Sequence, residues 1–158
     1  MDEVTEGLFT FFGDPELAPA PDPAPNPDPA PDPVAGGGEN GTVFTGTEGA
    51  DVMTGADFAD TFVFTADTAF TAIDLIKDYL VEHGDMLDIS DVLVGYDPDT
   101  SDISDYVVFT SDPESDDVAM AIDADGTGGD FALQQVAVIA DAGELDPQDM
   151  LDGGLLII

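Results

Sequence analysis

The sequence contains no cysteine and no arginine, and Lys77 is its single basic residue besides His83, against 36 acidic side chains and a formal charge of −35. Without cysteine there is no disulfide framework, no thiolate chemistry and no thiolate metal site. Nucleic acids and anionic membrane surfaces are polyanions bound through clusters of Lys and Arg, so this chain is expected to bind neither. No stretch approaches the roughly eighteen apolar residues of a membrane-spanning helix, and no membrane insertion is expected. Asp2, Glu3 and Glu6 stand where a Sec-type leader needs positive charge, which argues against such a signal.

A surface this acidic attracts cations. Yet 43% of the residues are hydrophobic and the mean hydropathy is +0.06, too apolar for an acidic disordered tail, so part of the chain buries a core. The length suits one domain of modest size with some chain left over.

Composition divides the sequence into residues 1–17, a short N-terminal segment, residues 18–36, a proline-rich linker, and residues 37–158, the folded part. Proline occupies every second position from Pro19 to Pro33. Alternate residues then lack an N–H and those between are driven toward extended conformations, which predicts a stiff, solvated spacer of about 3.1 Å per residue. Before it, Leu8, Phe9, Phe11 and Phe12 offer either a docking segment or the edge of a longer chain.

Beyond Gly36, short apolar bursts alternate with Asp and Gly clusters, the punctuation of a β protein. Strands are predicted over 61–65, 86–89, 106–110, 118–122 and 131–139, with the glycine-rich DADGTGGD between the last two suited to a hairpin turn. One short helix near the C-terminus is predicted, with Asp146 as N-cap, Pro147 at its first position, Asp149 in its first turn and Gly153 just past its end. Leu155, Leu156, Ile157 and Ile158 are either a last core strand or a recognition tag.

Gly37, Gly46 and Gly55 are spaced by nine, and the windows GGENGTVFT, GTEGADVMT and GADFADTFV share a register. The eighth position is apolar in each (Phe44, Met53, Phe62), and the sixth is Thr42, Asp51 and Asp60. Glycine permits tight turns that aim carbonyls inward, Asp supplies an anionic oxygen, and the apolar residue packs in a short strand. This resembles the repeat-in-toxin nonapeptide GGxGxDxUx, whose units stack into a calcium-binding parallel β-roll. The first window has Thr42 in place of Asp, and the third has Phe58 in place of the fourth-position glycine. Three windows amount to about one and a half coils. A cation would join loop 37–42 to loop 55–60, while the loop carrying Asp51 would find only Asp67 within 64–69.

Further downstream, DTFVF, IDLIKDYLVEHGDMLDISDVLVGYDPDTSDISDYVVF, VAMAIDADGTGGDF and QDMLDGGLLII are similar in order and spacing to the C-terminal target domain of type I secreted repeat-in-toxin proteins, over about 37–158. The resemblance implies an all-β fold, a short parallel β-roll capped by an antiparallel β-sheet or sandwich. It implies a non-catalytic domain, secreted or at the cell surface, folded by Ca2+ outside the cell, and carrying an uncleaved C-terminal signal for an ABC-transporter secretion channel. The domain would be a monomer or the end of a larger adhesin-like chain. The metal residues so implied are Gly37, Gly46, Gly49, Asp51, Gly55, Asp57 and Asp60, with Asp74, Asp78, Asp85 and Asp88 downstream; Asp123, Asp125 and Asp130 are weaker candidates. For Asp88, capping a turn at Ser90 is an equal alternative, and solvated hairpin aspartates account for the last three. DADGTGGD is not an EF-hand, having glycine fourth instead of sixth and no Glu at twelve.

No enzyme is expected. His83 is the lone histidine and reads as a loop residue beside Gly84, Lys77 as a partner of Asp74 or Asp78, and no two carboxylates stand out as an acid/base pair. Two other readings are an acidic extracellular adhesion or interaction domain, and a halophilic acidic domain without specific metal. The fixed glycine register argues against the second.

Overall fold

From Asp32 to Asp88 the strands alternate between two sheets. The computed structural model describes the backbone of Asp32–Ala35 together with residues 41–158, so the expectations for residues 1–17, for most of the proline-rich linker and for Gly37 lie outside the described residues. Strands β1 (Asp32–Ala35), β3 (Asp51–Thr54) and β5 (Asp74–Lys77) lie in one sheet, and β2 (Val43–Thr45), β4 (Thr61–Val63) and β6 (Met86–Asp88) in the other. Within each set the neighbours are parallel. Each pass through both sheets is one coil. Strand β1 takes up the last residues of the proline-rich segment, and it occupies a sheet edge, where Pro33 with its missing N–H is tolerated.

After β6 come β7 (Val107–Ser111), β8 (Val118–Ile122) and β9 (Gln134–Ile139), then helix α1 (Pro147–Asp152) and β10 (Leu156–Ile157). The first sheet has six strands in the order β1-β3-β5-β9-β8-β7, and the second has four in the order β10-β6-β4-β2. β9 is parallel to β5 and β10 is parallel to β6, so β9, α1 and β10 make a further coil. The antiparallel strands β7 and β8 therefore extend the first sheet, which is mixed, and do not form a separate capping sheet.

The eighth-position residues explain the core. On the four-stranded sheet Phe44, Phe62, Leu87 and Leu156 stand in register, all buried; on the other sheet Met53, Ile76 and Ile139 do the same. Both columns belong to one hydrophobic cluster, to which β7 and β8 add Val107, Val118, Met120 and Ile122. Period-two burial along β8 and the parallel strands is what places one face of each against this cluster. The last apolar residues are thus a core strand: Leu156 is buried, and Leu87 and Ile89 N–H donate to Leu155 and Ile157 carbonyls at 2.8 and 2.9 Å.

Helix α1 forms where its signals stand. Asp146 is extended and its carboxylate accepts N–H bonds from Gln148 and Asp149 at 2.9 and 3.1 Å, with Pro147 opening the helix and Gly153 closing it. Strand β9 starts at Gln134 instead of 131, because Asp130 and Phe131 N–H are turned back onto the Asp125 carboxylate at 3.0 and 3.3 Å. Among the described residues no helix is long and apolar enough to cross a membrane.

Candidate functional site: two columns of buried aspartates

The sixth position of the repeat is where charge enters the core. Asp51, Asp60, Asp74 and Asp85 are each 5% exposed or less, and each sits at or just before the start of a strand. Asp74-Leu75-Ile76 and Asp85-Met86-Leu87 repeat the Asp-x-apolar triplet of Asp51-Val52-Met53 and Asp60-Thr61-Phe62, although the nine-residue glycine spacing has ended.

The carboxylates look back one coil. Asp60 Oδ1 accepts the N–H of Thr42 at 2.6 Å, 18 residues earlier. Asp85 Oδ1 accepts the N–H of Asp60 at 2.8 Å across 25 residues, and Asp74 Oδ1 that of Asp51 at 2.9 Å across 23. Asp60 and Asp85 each take a second bond from their own loop, Ala56 N–H to Asp60 Oδ2 at 2.6 Å and Leu80 N–H to Asp85 Oδ2 at 2.8 Å, while the two oxygens of Asp51 take Thr47 N–H and Oγ1–H. Two columns result, Thr42–Asp60–Asp85 flanking the four-stranded sheet and Asp51–Asp74 flanking the other.

Stacking like charges in a dry place shifts their titration. Burial pushes the Asp74 carboxyl up to about 6, and the Asp51 carboxylate adds to the rise, against the lowering by the Asp51 N–H bond. Asp85 is raised chiefly by burial, with bonds from Asp60 and Leu80 lowering it, the Asp60 charge raising it and His83 lowering it. His83 Nδ1 is itself buried with no hydrogen-bond partner. Lys77 is exposed while Asp74, on the same strand, is buried, so the expected pairing of those two is not what offsets the buried charge.

The remaining candidates are scattered. Asp51 lies nearest in coil position to Asp74 and not to Asp67, which is exposed in the intervening loop. Asp57 is exposed; Asp78 is exposed with φ of 55° at the end of β5. Asp88 accepts the N–H and hydroxyl of Ser90 at 3.1 and 2.7 Å, which is the turn-capping alternative. Gly46 and Gly55 leave room for neighbouring carboxylates, a Cβ on either falling 3.0 Å from Asp74 Oδ2 or Asp60 Oδ2 respectively, whereas a Cβ on Gly49 meets nothing within 4 Å. Asp125 is committed to its own turn, and the Asp130 N–H holds its carboxyl below the usual range.

Among the described residues no group of three or more His, Asp or Glu side chains is gathered where it could hold an ion. The donor set of each column is all oxygen, two carboxylates with lone pairs beyond those used by N–H groups. That chemistry suits a hard cation such as calcium, provided carbonyls or water complete the shell. The continuation of the column into Asp74 and Asp85 was hidden from the nine-residue period; the recurring Asp-x-apolar triplet is the signal that reveals it.

No protein-family model matches this chain, and neither the curated proteins nor the solved structures contain a match to it.

Proposed function

We propose that residues 37–158 form a non-catalytic, calcium-binding β-roll domain of the repeat-in-toxin kind, exported by a type I ABC-transporter channel and folded outside the cell. The observation that carries this reading is the stacking of buried aspartates, the Asp85 carboxylate on the Asp60 N–H and the Asp74 carboxylate on the Asp51 N–H, each near enough to feel the other acid's charge. Burying like charges opposes folding, and a divalent cation shared by a pair removes that penalty. Calcium would draw on these carboxylates, with Gly46 and Gly55 keeping the loops close to them. Extracellular calcium modules bind at about 10⁻⁴ to 10⁻³ M, so the domain would be empty in a calcium-poor cytosol and filled outside. One site filled at a hundredfold excess over Kd adds about 2.7 kcal/mol of stability.

The test is far-UV circular dichroism of the full chain during a calcium titration, with magnesium and high sodium chloride in parallel. A calcium-specific gain of β structure supports the reading. Full structure in chelator, or equal rescue by sodium, removes calcium from it. Export is read separately, from whether the chain reaches the medium only when a type I channel is present.

A second reading, an acidic interaction domain, is favoured by a specific feature. Ile73, Phe131 and Leu133 are about half exposed, and Gln134 Nε2 donates to Phe70 O at 2.9 Å, bringing the 70–73 and 131–134 segments side by side. The packed strand β10 adds to this reading, since a tag in that strand is legible only before folding.

A further inference from the structure

We infer that Asp74 and Asp85 act as register pins: their carboxylates select which residue of the preceding coil each strand lies against, and they do so as amide acceptors, in addition to whatever cation the column takes. Coil length is uneven along the roll. The step from Thr42 to Asp60 is 18 residues, two nonapeptides, but the steps from Asp51 to Asp74 and from Asp60 to Asp85 are 23 and 25. The added residues fall in the loops before β5 and β6, where no repeated glycine pattern measures out the chain. Parallel strands of three or four residues could slip there, and a slip by one residue would turn the whole apolar set away from the core.

Strand register nevertheless continues without offset: Val52 lies opposite Leu75 and Met53 opposite Ile76 on one sheet, Thr61 opposite Met86 and Phe62 opposite Leu87 on the other. In each case the residue just before these pairs is the aspartate whose Oδ1 takes the N–H of its counterpart one coil earlier. A carboxylate shifted by one residue would leave a buried acceptor and a buried N–H both unmatched, a state folded proteins avoid. Asp85 is pinned from both sides, since its Oδ2 also takes Leu80 N–H and so fixes where the loop ends. The coil closed by β9 lacks this device. Ala137 stands opposite Asp74, and there the antiparallel partner β8 sets the register instead.

The experiment is NMR on the folded, calcium-saturated full chain. In the wild type, a coupling across the hydrogen bond between the Asp60 amide nitrogen and the Asp85 carboxylate carbon is expected, and its absence overturns the inference. In Asp85→Ala, exchange of both the Asp60 and Leu80 amides should quicken by about tenfold or more relative to their neighbours. Asp85→Asn keeps one acceptor oxygen and presents one donor, so only one of the two amides should lose protection; loss of both, as in the alanine variant, would mean that charge and not amide acceptance matters. Insertion of one glycine between Asp67 and Thr68 should leave Val52 opposite Leu75 by cross-strand NOE, the loop absorbing the extra residue. A one-residue shift of that pairing would also overturn the inference. The wild-type coupling and the glycine insertion leave both carboxylates in place, so they test the pins independently of which cation fills the column and of the route of export.

Discussion

Phe44 and Phe62 face each other across β2 and β4 with ring centroids 5.0 Å apart and planes 8° from parallel. Each is the eighth residue of its nonapeptide, so the stacking is the repeat made visible as packing. Phe62 also meets Tyr79 at 6.1 Å and is fully buried. Phe62→Ala should therefore cost about 3–5 kcal/mol in denaturant unfolding, and Phe62→Leu distinctly less. Equal losses would show that the volume restored by leucine counts for nothing there, and would contradict the space-filling role described for Phe62.

The raised Asp74 carboxyl predicts an unusual acid response for the cation-free chain. Its folded pKa of about 6 exceeds the unfolded value near 3.8, so the folded state binds more protons between those values. Stability is then highest below about pH 4 as far as this group is concerned, falls as pH rises toward 6, and stays low above it. In chelator, the β structure that remains should be greater at pH 5 than at pH 7, and Asp74→Asn should flatten that difference. Residual structure that falls on acidification over this range, in both proteins alike, would contradict the environment described for Asp74.

Calcium dependence should follow the columns and not the overall acidity. Asp60 holds Thr42 and Ala56 N–H from a buried position, whereas Asp112 caps an exposed turn through Glu114 N–H at 2.9 Å. Asp60→Ala should move the calcium midpoint for β structure to higher concentration, and Asp112→Ala should leave it in place, though each removes one negative charge. Coincident midpoints for the two variants would sink the assignment of the column as the cation site.

The repeat glycines should separate sharply in their tolerance of a methyl group. A Cβ on Gly41 would fall onto the Ala59 carbonyl and one on Gly55 would lie 2.9 Å from the Asp78 carbonyl, both backbone contacts that cannot swing aside. Gly49→Ala meets open space. Unfolding free energies from urea titration should fall clearly for Gly41→Ala and Gly55→Ala and stay within about 0.5 kcal/mol of the parent for Gly49→Ala.

Much of this architecture is legible in the sequence, for reasons that differ by element. Helix α1 was marked by local chemistry alone, since Asp146, Pro147 and Gly153 act within a few residues of one another. Strand β8 matches its expected bounds because apolar and small residues alternate without interruption. The full extent of the coil is hidden in the sequence because the glycine period fails after Gly55, while the triplets at Asp74 and Asp85 that continue it are separated by loops of irregular length. That β7 and β8 would join the parallel strands through β9 is a long-range pairing, and no local pattern encodes it. At the site, the aspartates were identifiable by type and place, but their use as acceptors for amides 23 and 25 residues away depends on coil geometry alone.

Thr42 shows where such a stack can begin. The chain of donations runs one way, each later carboxylate receiving from an earlier backbone, so an added unit upstream would need an acid at position 42 to receive it. Thr42 gives its N–H to Asp60 and has no carboxylate to offer in return. On this flank it works as an end-stop, the counterpart of the atypical terminal units that keep other stacked proteins from growing indefinitely. A modular lengthening of the domain is therefore easier by inserting units after Thr45 than by prepending them.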